Sequence, residues 1–369
     1  MFDNISFWVA VFLLYLSSQV LSCSRHQITL ISFISPFLFY FFFGIKFVFL
    51  SILTVFIIFF LSNGLNIFFF KLNKKYSLLL FLILILVFSK NFDFHIVGLS
   101  YFIIRFYDYI HFDKSHFLEA NLKIKIYNHI HLYSYLFPLH AILAGPLLQY
   151  SKFVNYKNRK MSFLRFQKSI YIILVGLIFK YILGYYFSIL IENFINNSLL
   201  KSSLALLYVF FDFAGYSLMA IGVGFLIGYE LPANFNNPFF SKSLGEFFER
   251  WHISLSLMAK KHIFNPFQLF LIRSGYFTNI KLISSLSITT TFLAIAMWHQ
   301  LSINFFLWGL FLGIALSVEQ LFSFRQKIDF YFNGNSFKNF YSILLFMYTF
   351  IFISFSYYLL ADELYNMIS

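Results

Sequence analysis

LAIAMWHQLSINFFLWGLFLG, residues 293 to 313, sets a histidine, His299, between two apolar runs, and its reading decides the fold. The run before His299 is long enough to cross a bilayer, and a second such run follows it to about Leu321. An ionisable group at bilayer depth carries a cost of a few kcal/mol unless it lines a polar cavity or meets a partner. His299 is therefore a functional candidate; the plainer alternative is a histidine hydrogen-bonded to a neighbouring helix.

The rest of the chain has the same character. Of its residues 60% are hydrophobic and 11% charged, and the apolar residues gather in runs near the roughly twenty needed to cross about 30 Å of hydrocarbon. Only helices or closed barrels satisfy the backbone in lipid, and these runs are too long for barrel strands. The expected fold is an all-α polytopic membrane protein forming one membrane-embedded domain over residues 1–369. Spans are expected at residues 5–22, 28–44, 46–70, 77–91, 95–110, 134–150, 169–191, 203–228, 283–299, 302–322 and 339–360, giving about ten helical segments once re-entrant ones are set apart. The Val20–Cys23 stretch faintly resembles a lipoprotein cleavage box, but Asp3 and the lack of an early Lys or Arg favour a retained first span. Cys23 is the single cysteine, which excludes disulfide frameworks and cysteine metal clusters. No metal site is expected.

The charges orient the chain. The loop holding Lys71, Lys74 and Lys75, and the block Lys152, Lys157, Arg159, Lys160, Arg165 and Lys168, are basic and place both regions in the cytoplasm. If the mildly basic stretch 111–131 lies there too, FPLHAILAGPLLQY cannot cross once, and Pro138, Gly145 and Pro146 suit a re-entrant loop. The net charge of +13 reflects this topology and attraction to anionic headgroups. Scattered over short loops without a recognition motif, it does not point to nucleic acid.

From Pro232 to about residue 267 the chain is too polar for a lipid-facing span and too apolar for a solvated loop. Ser243 and Glu246 have capping-box spacing, starting an amphipathic helix expected to run toward Lys260. Glu246 and Arg250 stand four apart in the favourable order, and the helix presents Arg250 and His252 close together. Arg105 and Asp108 read as a local ion pair near the interface. Asp212, inside a span, needs a partner such as Lys180 or Arg250 and suits a structural or site-organising role.

Four stretches, FPLHAILAGPLLQYSKF, FFDFAGYSLMAIGVGFLIGYELPANFNNPF, SKSLGEFFERWHISLS and MWHQLSINFFLWGLFLG, together resemble the membrane-bound O-acyltransferase family. The likeness is to its bacterial branch, which includes the D-alanyl transfer protein of teichoic acid modification and the alginate O-acetylases. It covers residues 137 to 313 and implies that family's fold, with re-entrant loops and an in-membrane amphipathic helix. It makes His299 the catalytic histidine and His252 the second recurrent one. Arg250, Trp251 and Ser254 surround His252, and Trp298 precedes His299. Asn234, Asn236 and Pro238 match the turn leading into the RWH motif, and Asp212 falls in an aromatic-Asp-Phe-small-Gly-Tyr stretch. Two departures stand out: Lys260, Lys261 and His262 replace the usual Arg-Asp-Tyr, and Gln300 replaces the glycine after Trp-His.

The implied chemistry suits a histidine. Acyl transfer from a thioester to a hydroxyl needs a base for the alcohol proton, and imidazole titrates near working pH. Burial would help hold His299 neutral. His252 would orient the acceptor or polarise the thioester carbonyl, while Gln300 or Asn304 would donate to the oxyanion. Direct transfer and an acyl-histidine intermediate both remain open. No bound cofactor is expected; the donor would be a phosphopantetheine-type thioester on an acyl-carrier protein or CoA, with Lys260, Lys261 and Arg273 steering an acidic carrier. The implied setting is the bacterial cytoplasmic membrane. The acceptor would be an extracytoplasmic cell-envelope glycan or polyol polymer, reached directly or through a second extracytoplasmic acyltransferase. Teichoic acid D-alanylation is narrowly preferred to polysaccharide O-acetylation. A transporter or flippase using intramembrane His and Asp as a proton relay is the alternative, opposed by the lack of an inverted repeat, and a non-catalytic scaffold is a third.

Overall fold

The computed structural model describes residues 8, 11, 12, 99–112, 132, 134–138, 141, 145–154, 162–193, 198–227, 229–322 and 338–360. Most of the expected spans before residue 95, the loop at Lys71–Lys75 and nearly all of 113–131 lie outside the described residues. Among the described residues the architecture is all-α, with one isolated antiparallel bridge, Phe235 to Trp251.

The helices are α1 (Leu99–Ile110), α2 (Tyr150–Val154), α3 (Phe163–Leu177), α4 (Tyr185–Asn193), α5 (Ser198–Leu226), α6 (Leu244–Arg250), α7 (Ile253–Ala259), α8 (Asn265–Ser274), α9 (Ile280–His299), α10 (Ile303–Leu321) and α11 (Lys338–Ser356). A π turn, Ile178–Gly184, joins α3 to α4, and another, Lys260–Phe264, joins α7 to α8. Five helical stretches are long and apolar enough to cross a membrane: Phe163–Asn193, Leu199–Leu226, Ile280–His299, Ile303–Leu321 and Tyr341–Leu360. Each coincides with an expected span. The chain is a multi-pass membrane protein.

Contacts divide the chain into two compact units, one formed by Met1–Leu174 with Ser217–Pro232 and the other by Val175–Tyr216 with Ala233–Ser369. In the first, the proline- and glycine-bearing stretch before Tyr150 is not one continuous helix: residues 137, 138, 141 and 145–149 are non-helical. The broken backbone is held by protein groups. Arg105 Nη2 donates to the Ala141 carbonyl at 2.5 Å. Asp108 Oδ2 accepts from the Tyr135 hydroxyl at 3.0 Å and from the Tyr150 N–H at 2.6 Å. Arg105 and Asp108 are 2% and 0% exposed, so the two side chains that the sequence places on one helix face near the interface lie in a buried polar core and bond to backbone groups of the irregular segment and of the first turn of α2.

In the second unit α9 and α10 form an antiparallel hairpin. Ser302 caps α10, its Oγ accepting from the Phe305 N–H at 3.3 Å. Gly309 and Gly313 face α9 so closely that a Cβ on Gly309 would lie 2.6 Å from Ala296 Cβ, and one on Gly313 would lie 2.8 Å from Thr289 Cα. Small residues spaced four apart permit this backbone approach, which drives helix pairing where the hydrophobic effect between helices is weak. Hydroxyls complete the seam. Ser317 Oγ donates to the Ser285 carbonyl at 2.9 Å and lies 3.1 Å from Thr289 Oγ1. The hairpin's tip carries Trp298, His299 and Gln300.

Candidate functional site

Asn234 starts the construction. Its backbone carbonyl accepts from the Ile253 N–H at 2.9 Å, and its side-chain Oδ1 accepts from Ser254 Oγ at 2.5 Å. The Asn236 N–H donates to the Arg250 carbonyl at 3.0 Å. These bonds clamp the turn at 234–236 alongside 250–253 and interrupt the helix expected to run toward Lys260. Helix α6 ends at Arg250, and His252 takes a left-handed conformation, φ 45° and ψ 51°, before α7 begins. Such a conformation costs a non-glycine residue about 1–3 kcal/mol and persists only where its surroundings enforce it. Here the clamp does so, turning the imidazole inward.

His252 is 6% exposed, and its Nε2 meets no hydrogen-bond partner among the described residues. The Phe213 ring stands edge-on to the imidazole at 4.6 Å. Burial, and after it the charge of nearby His299, push the His252 pKa well below its ordinary value, so the ring is neutral at cellular pH. Trp251 packs on Phe235 at 5.2 Å and Phe247 at 5.3 Å, forming the aromatic wall behind the turn.

His299 is the last residue of α9, and the Gln300 N–H closes that helix on the Ala296 carbonyl at 3.1 Å. The imidazole stacks at a tilt with Trp298, 4.8 Å between centroids, and lies 6.3 Å from Phe305. It is exposed, unlike His252. The burial expected for His299 thus belongs to its neighbour, because a residue ending a helix projects beyond the packed seam. Gln300 Oε1 is buried and meets no partner among the described residues. Asn304 occupies the first turn of α10.

The approach to His252 is anchored by groups on both sides of α6. Ser243 Oγ accepts from the Glu246 N–H at 3.1 Å, while Glu246 accepts from the Lys242 N–H at 2.9 Å and pairs with Arg250 at 2.6 Å. The spacing of SKSLGEFFER announces this much. It does not announce Glu319 of α10, whose two carboxylate oxygens accept from the Leu244 N–H at 2.7 Å and the Gly245 N–H at 2.9 Å. A carboxylate in the last turns of an apolar span was the available signal. Glu319→Ala should destabilise the chain by about 2–3 kcal/mol, with Glu319→Gln costing less, because charge-assisted bonds to free helix N–H groups are lost; thermal unfolding in detergent measures it.

Asp212 pairs with Lys180, in the π turn between α3 and α4, whereas Arg250 is committed to Glu246. A Cβ on Gly215, one turn after Asp212, would lie 2.6 Å from the Lys180 backbone nitrogen, so the helices meet closely there. Asp212 immediately precedes Phe213, the ring against His252. Lys260 and Lys261 open the second π turn, and Lys260 and Arg273 are exposed. Gln268 Nε2 lies 3.5 Å from Ser284 Oγ, which sets α8 beside the first turns of α9. His299 ends that helix, whose twenty residues measure about 30 Å. The structure therefore sets Arg273 and the His299 tip at opposite ends of α9.

Residues 60–358 match the membrane-bound O-acyltransferase family. The chain is 28% identical to the teichoic acid D-alanyltransferase of Bacillus subtilis, over 66% of this chain and 64% of that protein. It is 28% identical to the peptidoglycan O-acetyltransferase of Helicobacter pylori, over 58% of this chain and 40% of that protein. With the probable alginate O-acetylase of Pseudomonas syringae pv. tomato it shares 27% identity, over 50% and 36%. The chain thus spans between 36 and 64% of the length of these curated relatives.

Proposed function

The chain belongs to the membrane-bound O-acyltransferase family, and from that premise we propose that it moves an activated acyl group from a cytoplasmic thioester to a hydroxyl of an extracytoplasmic cell-envelope polymer. The observation that carries this reading is the buried imidazole of His252, held inward by the Asn234 clamp, whose Nε2 meets no hydrogen-bond partner among the described residues.

In the proposed reaction the acceptor alcohol reaches His299, which takes its proton as the oxygen attacks the thioester carbonyl. A C–O bond forms and the C–S bond breaks. The departing thiolate receives the proton from the His299 imidazolium, so ester and free thiol are the products. His252 Nε2, neutral and fixed by the Asn234 clamp, hydrogen-bonds to the acyl carbonyl or the acceptor according to its tautomer. The side-chain amide of Asn304 donates to the transient oxyanion; one such donor is typically worth about 3 kcal/mol.

The length of α9 supports the sidedness. Arg273 and Lys281 flank its first turn, and basic residues favour the cytoplasmic face. His299, at the other end, is then near the outer face where an envelope hydroxyl arrives, and the exposed Arg273 remains on the side from which an acidic carrier protein or CoA would deliver the donor. D-alanyl is the preferred acyl group and acetyl the alternative, in keeping with the two kinds of relative.

The test is the acid released by mild alkali from envelopes of cells with and without the chain, identified by mass spectrometry. D-Alanine released only when the chain is present is the expected result. Identical alkali-released acids in both would overturn the proposal.

A further inference from the structure

An unexplained polar group lies at the hairpin tip. Gln300 Oε1 is buried with no partner among the described residues, although the same residue's N–H is used to close α9. A carbonyl oxygen can only accept, and leaving it buried and unpaired is costly. It lies at the C-terminal end of a 20-residue helix, where the last-turn carbonyls gather partial negative charge. An acceptor oxygen without a donor, set at the negative end of a helix and next in sequence to the exposed His299, is suited to a small cation. On the neighbouring α10 terminus the Phe305 N–H is taken by Ser302 Oγ at 3.3 Å and the Phe306 N–H by the Ser302 carbonyl.

We propose that Gln300 selects the acyl group by accepting a hydrogen bond from the α-ammonium of an aminoacyl thioester. This rests on the acyl-transfer reading above and deepens it. Of the acyl groups named for the relatives, D-alanyl carries an ammonium with three donors and acetyl carries none. Only the first satisfies the buried oxygen and gains from the helix terminus.

The experiment uses membrane vesicles carrying the full chain and three donors: D-alanyl-pantetheine, 2-methylpropanoyl-pantetheine, in which a methyl group replaces the ammonium, and acetyl-pantetheine. Ester formed on the vesicles' own envelope polymer is measured for each. The wild type should prefer D-alanyl over its methyl isostere by about tenfold or more, the worth of one charge-assisted bond. Gln300→Leu should reduce that ratio about tenfold, and Gln300→Glu, which keeps an acceptor, should retain it. A ratio unchanged by Gln300→Leu, a loss shared equally by all three donors, or wild-type transfer of acetyl alone would each overturn the assignment while leaving acyl transfer standing. Ester from no donor, with the wild-type chain present at normal abundance, would overturn the acyl-transfer reading as well.

Discussion

His299→Ala should lower the rate of ester formation by about 10²–10⁴, the span that a positioned general base contributes, while the chain inserts and accumulates normally. Insertion should survive because the ring is exposed at the end of α9 and its ring contacts are with Trp298 and Phe305. His252→Ala is expected to differ in kind. That imidazole is buried, lies against Phe213, and sits in a left-handed turn held by Asn234. Removing it should reduce both the rate and the stability, and His252→Gln, which restores a polar group of related size, should recover more stability than rate. Initial rates in vesicles, normalised to chain abundance, separate the two histidines.

Gly309→Leu should be the most damaging single change to the fold. Even the first carbon of a side chain there would lie 2.6 Å from Ala296 Cβ and 2.9 Å from the Phe292 carbonyl oxygen. The helices must therefore separate, breaking the Ser285–Thr289–Ser317 contacts and displacing the tip that carries His299. Overpacking a close seam costs about 3 kcal/mol or more when backbone must move. A sharp fall in folded yield and unfolding temperature is the expected outcome, with loss of ester formation following from it. Gly309→Ala should be milder, and Ala296→Gly should partly restore it by removing the nearest obstructing carbon.

The spans from Phe163 onward were legible because each holds eighteen or more residues of high mean hydropathy, a pattern that local composition alone determines. The Ser243–Glu246 cap and the Glu246–Arg250 pair were equally local and stand as expected. The break at Trp251–His252 was not legible. LGEFFERWHISLSLMA continues a helical apolar rhythm through it, and the interruption comes from Asn234, Phe235 and Asn236 clamping the backbone from earlier in the chain. Glu319 reaches Leu244 across 75 residues, beyond any periodicity. The same holds for the bonds of Arg105 and Asp108 to Ala141, Tyr135 and Tyr150, which lie 27 to 42 positions along the chain, beyond the helix on which their spacing of three can be read. The histidines were found because the sequence marks where an ionisable ring is unusual. Which of the two is buried depended on helix ends and a turn that only the fold defines.

Alkali-released acid from cells carrying wild-type chain or His299→Ala, compared at equal chain abundance, tests the account at its centre. Released D-alanine should fall to the level of cells lacking the chain in the variant alone. Undiminished release from His299→Ala would contradict it.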